Sequence, residues 1–101
     1  MFKEAFKLSD IACGGMKAAK IEGREIVVCN YGGKFYAVDN RCSHMNGSLE
    51  AGTLDGYILT CPLHYAQFDI TTGEVLSGPE KTFNLKIYPV QVEGNSIKID
   101  V

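Results

Sequence analysis

The chain has 101 residues, 46% hydrophobic and 22% charged, enough for one domain with a modest core and too few for a cofactor domain joined to a substrate domain. A formal charge of -2 and a pI near 5.6, with lysines and acids interspersed, give no sign of the basic face that binds nucleic acid. No stretch approaches the roughly 20 apolar residues of a membrane span, and Met1-Phe2-Lys3-Glu4-Ala5-Phe6-Lys7 lacks the apolar centre of an export signal. The expectation is one cytoplasmic domain over residues 1–101 that engages neither membrane nor nucleic acid.

Short apolar runs broken by glycine turns predict antiparallel strands, and no segment carries a sustained helical stripe. In chain order, Met16 to Ile21, Arg24 to Tyr31 and Lys34 to Asn40 read as a meander turning at Glu22-Gly23 and Gly32-Gly33. An irregular stretch from Arg41 to about Gly56 follows, then a short strand Tyr57 to Thr60 and a second irregular piece starting at Cys61-Pro62. Gln67 to Ile70 and Glu74 to Leu76 form a hairpin around Thr71-Thr72-Gly73. Leu85 to Val92 and Ser96 to Val101 close the chain across Gly94-Asn95, with Pro89 marking an edge or a bulge. The fold class is all-β.

Without an export signal, the four cysteines are better used on metal than in disulfides. Cys29 lies in the apolar run Ile26-Val27-Val28-Cys29 and reads as a small hydrophobe, and Cys13 beside Gly14-Gly15 reads as a loop residue. The informative constellation is Cys42-x-His44, sixteen intervening residues, then Cys61-x-x-His64, each half in one of the two irregular loops. Two thiolates and two imidazoles suit one tetrahedral zinc, or an iron pair with cysteines on one iron and histidines on the other. Spacing alone does not separate the two. Structural zinc sites commonly pair Cys-x-x-Cys with a histidine pair in folds that the metal itself holds together, whereas here one Cys and one His come from each of two loops grown out of a β-rich domain.

At these residues the sequence resembles the Rieske family. Cys42-Ser43-His44-Met45-Asn46-Gly47 looks like its first cluster loop and Cys61-Pro62-Leu63-His64 its second. The flanks agree: Leu8-Ser9-Asp10-Ile11, Phe35-Tyr36-Ala37-Val38-Asp39-Asn40, Phe68-Asp69, Thr72-Gly73-Glu74, and Gly78-Pro79, where the family places a third loop over the cluster. The resemblance implies an antiparallel β-sandwich with two cluster-binding loops at hairpin tips. It also implies one [2Fe-2S] cluster, with Cys42 and Cys61 on the inner iron and His44 and His64 on the outer, solvent-facing iron.

Two ferric ions, two sulfides and two thiolates sum to a neutral centre, whereas four thiolates leave a dianion, so histidine ligation raises the potential. Both histidines are consumed as ligands, no triad of two histidines and a carboxylate remains for a catalytic iron, and no enzymatic activity is expected. The resemblance implies a monomeric single-electron carrier between a flavin-dependent reductase and a terminal oxygenase. The alternative is a small subunit like that of assimilatory nitrite reductase. A relation to the respiratory members is disfavoured, because the cysteines that bridge their two loops are replaced by Gly47 and Leu63. The serine and tyrosine that donate hydrogen bonds to sulfur in high-potential members are replaced by Ala66 and Phe68, which implies a low potential. Tyr65 stands where the family often has glycine.

Overall fold

A computed structural model describes residues 1–41, 48–62, 65–80 and 82–101. Its strands are β1 (Phe2–Lys7), β2 (Met16–Ile21), β3 (Arg24–Tyr31), β4 (Lys34–Asp39), β5 (Thr53–Asp55), β6 (Ile58–Thr60), β7 (Gln67–Asp69), β8 (Val75–Ser77), β9 (Ile87–Tyr88), β10 (Val90–Glu93) and β11 (Ser96–Asp100). Short 3-10 turns occupy Leu8–Asp10 and Leu49–Ala51. All pairings are antiparallel, in sheets of order β1-β11-β10, β2-β3-β4-β9 and β5-β6-β7-β8. No helix among the described residues is long and apolar enough to cross a membrane.

The middle sheet has a core on each face, and the side-chain alternation of β3 builds both. Val27 and Cys29 point to a core shared with Leu49, Leu59, Cys61, Ala66, Phe68, Ile70 and Leu85. Ile26 and Val28 point to the other, shared with Ile11, Ala37, Tyr88, Ile97 and Ile99. The unbroken apolar run of this strand is thus the mark of burial on two sides, each large side chain contributing about 1.5–3 kcal/mol. The tight β2-β3 hairpin turns on Glu22 and Gly23, with φ of 52° and 79°, the left-handed pair whose twist matches that of the flanking strands.

Three features differ from the sequence reading. Phe2–Lys7 is a strand, paired with β11 through a bulge between Glu4 and Phe6; apart from Phe2 and Phe6 its residues, Lys3, Glu4, Ala5 and Lys7, are types depleted in strands, so its pairing owes more to its partner than to local propensity. Thr53–Asp55 is a strand inside the stretch expected to be irregular, paired with β6. The expected strand Leu85 to Val92 is two strands, because at Pro89 the chain leaves the middle sheet, where Ile87 and Tyr88 pair with β4, and enters the outer one, where Val90 to Glu93 pair with β11. Proline, which cannot donate to a ladder, sits at the crossing, and its carbonyl accepts the Asp100 N–H at 3.0 Å.

Candidate metal centre

The first loop leaves the end of β4 and returns at the 3-10 turn, and polar contacts close its stem. An isolated antiparallel bridge joins Arg41 to Ser48. Asn40, only 4% exposed, holds both sides. Its N–H donates to the Glu25 carbonyl at 2.9 Å, and its carbonyl accepts the Leu49 N–H at 2.8 Å. Its Nδ2 donates to Ser48 Oγ at 3.2 Å, and its Oδ1 accepts the Glu50 N–H at 2.9 Å. Arg41 forks onto Glu25, Nε to Oε2 at 2.6 Å and Nη2 to Oε1 at 2.9 Å. That hydrogen bond is the main reason the Glu25 carboxyl is held below its ordinary pKa and the Arg41 guanidinium above its own. Directly before Asn40, Asp39 accepts the Tyr88 hydroxyl at 2.7 Å, which pins the end of β4 to β9.

The second loop is the tip of the β6-β7 hairpin, closed by the Cys61 N–H donating to the Ala66 carbonyl at 2.8 Å. Cys61, Ala66 and Phe68 are fully buried in the core that also holds Leu49. Both loop stems therefore rest on one apolar base. Gly52 locks them together: a Cβ there would stand 1.9 Å from the Thr60 carbonyl oxygen, so only glycine allows this approach to the backbone entering Cys61. Gly78, on the segment after β8, lies against Ala66, a Cβ there falling 3.2 Å from the Ala66 Cβ, and Thr82 Oγ1 donates to the Pro79 carbonyl at 2.6 Å. Tyr65 is 75% exposed with φ of 57°, the left-handed conformation that a glycine would adopt without strain. Its ring, with Pro62 and Gly52, borders an open depression of about 230 Å³ that reaches Cys61.

Of the four expected ligands, Cys61 is placed at this shared base, while Cys42, His44 and His64 lie outside the described residues. Cys13 is exposed and Cys29 buried, neither in a disulfide. Burial pushes the Cys29 thiol up to about 12, so it stays protonated and packs as an apolar group. No grouping of three or more His, Cys, Asp or Glu side chains placed to hold a metal ion occurs among the described residues. Reading the sequence for ligands did not single out Asn40, Ser48 or Gly52. Nothing in their residue types marks that role, which comes from partners distant in sequence.

The profile of the Rieske [2Fe-2S] domain matches residues 2–89. The ferredoxin component of the naphthalene 1,2-dioxygenase system of Pseudomonas putida is 40% identical over 98 residues, 97% of this chain and 93% of that protein. The Sphingomonas yanoikuyae B1 ferredoxin superposes with TM-score 0.92 at 31% identity, covering 100% of this chain and 99% of the other. A chain in the complex of reduced oxygenase and oxidised ferredoxin of carbazole 1,9a-dioxygenase gives TM-score 0.91 at 30% identity, covering 97% and 91%. The residues present suit the cluster this family carries: a buried cysteine at the mouth of a closed hairpin tip, beside a second stem anchored to the same core. The chain belongs to the Rieske [2Fe-2S] family, and it is an electron-transfer protein that carries one two-iron, two-sulfide cluster.

Proposed function

We propose that this protein takes one electron from a flavin-dependent reductase and delivers it to a terminal oxygenase, acting in the cytoplasm as a monomer with one domain over residues 1–101. Cys42 and Cys61 ligate the inner iron, and His44 and His64 the outer. The observation that carries this reading is the common base of the two loops, where Leu49 behind the first and Cys61 and Ala66 of the second share one core. The bound cluster supplies one-electron chemistry at a potential that imidazole ligation raises above that of an all-cysteine centre.

The chain's own residues do the rest. The buried base excludes water from the Cys61 side, and the rigid stems limit the rearrangement that a change of charge would otherwise drive. Ala66 and Phe68 offer no hydroxyl to sulfur, which keeps the potential low and suits electrons from a reduced flavin. The names of the relatives, ferredoxin components of dioxygenase systems, favour a diffusible carrier over a fixed subunit of a nitrite reductase. The test is reconstitution with the reductase and oxygenase encoded nearest this gene: oxygenase turnover should rise and saturate with added protein. Full turnover without it would overturn the proposal.

A further inference from the structure

We infer that Asn40 is the positioning residue of the first ligand loop, fixing where Cys42 and His44 stand relative to Cys61; the inference rests on the ligand assignment proposed above. Four hydrogen bonds converge on this one buried residue. They tie the strand entering the loop to β3 and to all three residues, Ser48, Leu49 and Glu50, by which the chain leaves it. Leu49 is itself fully buried in the core that contains Cys61. The stem of the first loop is therefore tied to the core that holds Cys61: Asn40 to Leu49 by a backbone hydrogen bond, and Leu49 into that core by packing.

The ion pair at the stem is no substitute for it. The Arg41–Glu25 pair is 45% and 40% exposed, and a solvated ion pair contributes little. The Asn40 amide is shielded, and truncating it strands the Glu50 N–H. An internal control exists in Asn30, also buried, whose Nδ2 donates to the Ile11 carbonyl at 3.0 Å and whose Oδ1 accepts the Gly33 N–H at 3.0 Å. It clasps the opposite end of the β3-β4 hairpin and should matter to folding but not to the cluster.

The experiment compares the cluster-loaded parent with Asn40→Ala, Asn40→Asp, Ser48→Ala and Asn30→Ala. It follows the rate of bleaching under an iron chelator, the midpoint potential, and hydrogen exchange at Glu50. Asn40→Ala should bleach about tenfold faster or more, the size implied by losing a bond to a buried group, shift the potential, and lose protection at Glu50. Ser48→Ala removes one bond only and should change in the same direction by less, which keeps the test open if Asn40→Ala does not fold. Asn40→Asp accepts from both Glu50 N–H and Ser48 O–H and should return the bleaching rate toward that of the parent. Asn30→Ala should lower the melting temperature with bleaching and potential unchanged. Parent-like bleaching and potential in both Asn40→Ala and Ser48→Ala would overturn the inference, as would Asn30→Ala matching Asn40→Ala, or Asn40→Asp being no better than Asn40→Ala. A parent protein without iron and labile sulfide would instead strike at the ligand assignment, and exchange at Glu50, which needs no cluster, would still decide whether Asn40 holds the stem.

Discussion

Cys29 and Cys61 share one apolar core, and the proposed ligand set gives them opposite uses. Cys29 sits mid-strand with its neighbours packed on all sides, and its thiol, pushed up to about 12, stays protonated at any physiological pH. Cys61 stands at the mouth of a loop. Replacing Cys42 or Cys61 by serine should abolish the cluster, seen as loss of visible absorption and labile sulfide. Cys13→Ser and Cys29→Ala should keep it, the latter costing about 1 kcal/mol of stability from lost packing. Loss of the spectrum in Cys13→Ser would refute the assignment of that residue to a plain loop. Ala66 and Phe68, both fully buried beside Cys61, set the second expectation. A hydrogen bond to a charged acceptor contributes about 1.5–3 kcal/mol, which, if wholly differential between redox states, corresponds to roughly 65–130 mV at about 59 mV per tenfold. A midpoint toward the lower end of the Rieske range of about -150 to +300 mV follows, and Ala66→Ser with Phe68→Tyr should raise it. A redox titration of the parent near the top of the range would contradict this.

Strands whose residues alternate or run apolar between glycine turns were legible in the sequence, and β2, β3, β4 and β11 stand close to where that pattern puts them. What was not legible depends on distant partners. Phe2–Lys7 becomes a strand because β11 is there to pair with it, and the switch of sheets at Pro89 is a property of two separate ladders. The motif located the candidate ligands, but the stem that carries them was invisible, since one asparagine among ordinary residues announces nothing until its four bonds are seen. Gly52 is similar, its purpose appearing only against the Thr60 carbonyl. Gly52→Ala should destabilise the protein by about 1–3 kcal/mol or more, since backbone rather than a flexible side chain must yield, and should speed cluster loss; unchanged urea unfolding would count against the lock. The Arg41–Glu25 pair gives a pH expectation. Its carboxyl is depressed in the folded state, so its contribution is present above the ordinary carboxylate value and lost as pH falls through the depressed one. Glu25→Gln should remove that part of the acid sensitivity, which lies below the ordinary carboxylate value of 4.5, while leaving the neutral-pH spectrum intact.

Across the whole molecule, the middle sheet works as a spine, with one core beneath the loops and another against the β1-β11-β10 sheet. Strand directions give the protein two unlike ends. β4 and β6 both run toward the loops, where Tyr65 and Pro79 lie, while Tyr31 and Tyr57, with ring centroids 5.9 Å apart, mark the end from which those strands start. Electron transfer needs the outer iron near its acceptor, so cross-linking to the oxygenase should involve the Tyr65 end. Contact confined to Tyr31 and Tyr57 would remove the docking claim. The ligand set proposed above puts unlike ligands on the two irons of a single cluster. The Mössbauer spectrum of the oxidised, iron-enriched protein reads this most directly: two cysteines on one iron and two histidines on the other predict two distinct iron sites of equal area. A single iron environment, or protein that binds zinc with no labile sulfide when iron is plentiful, would contradict it.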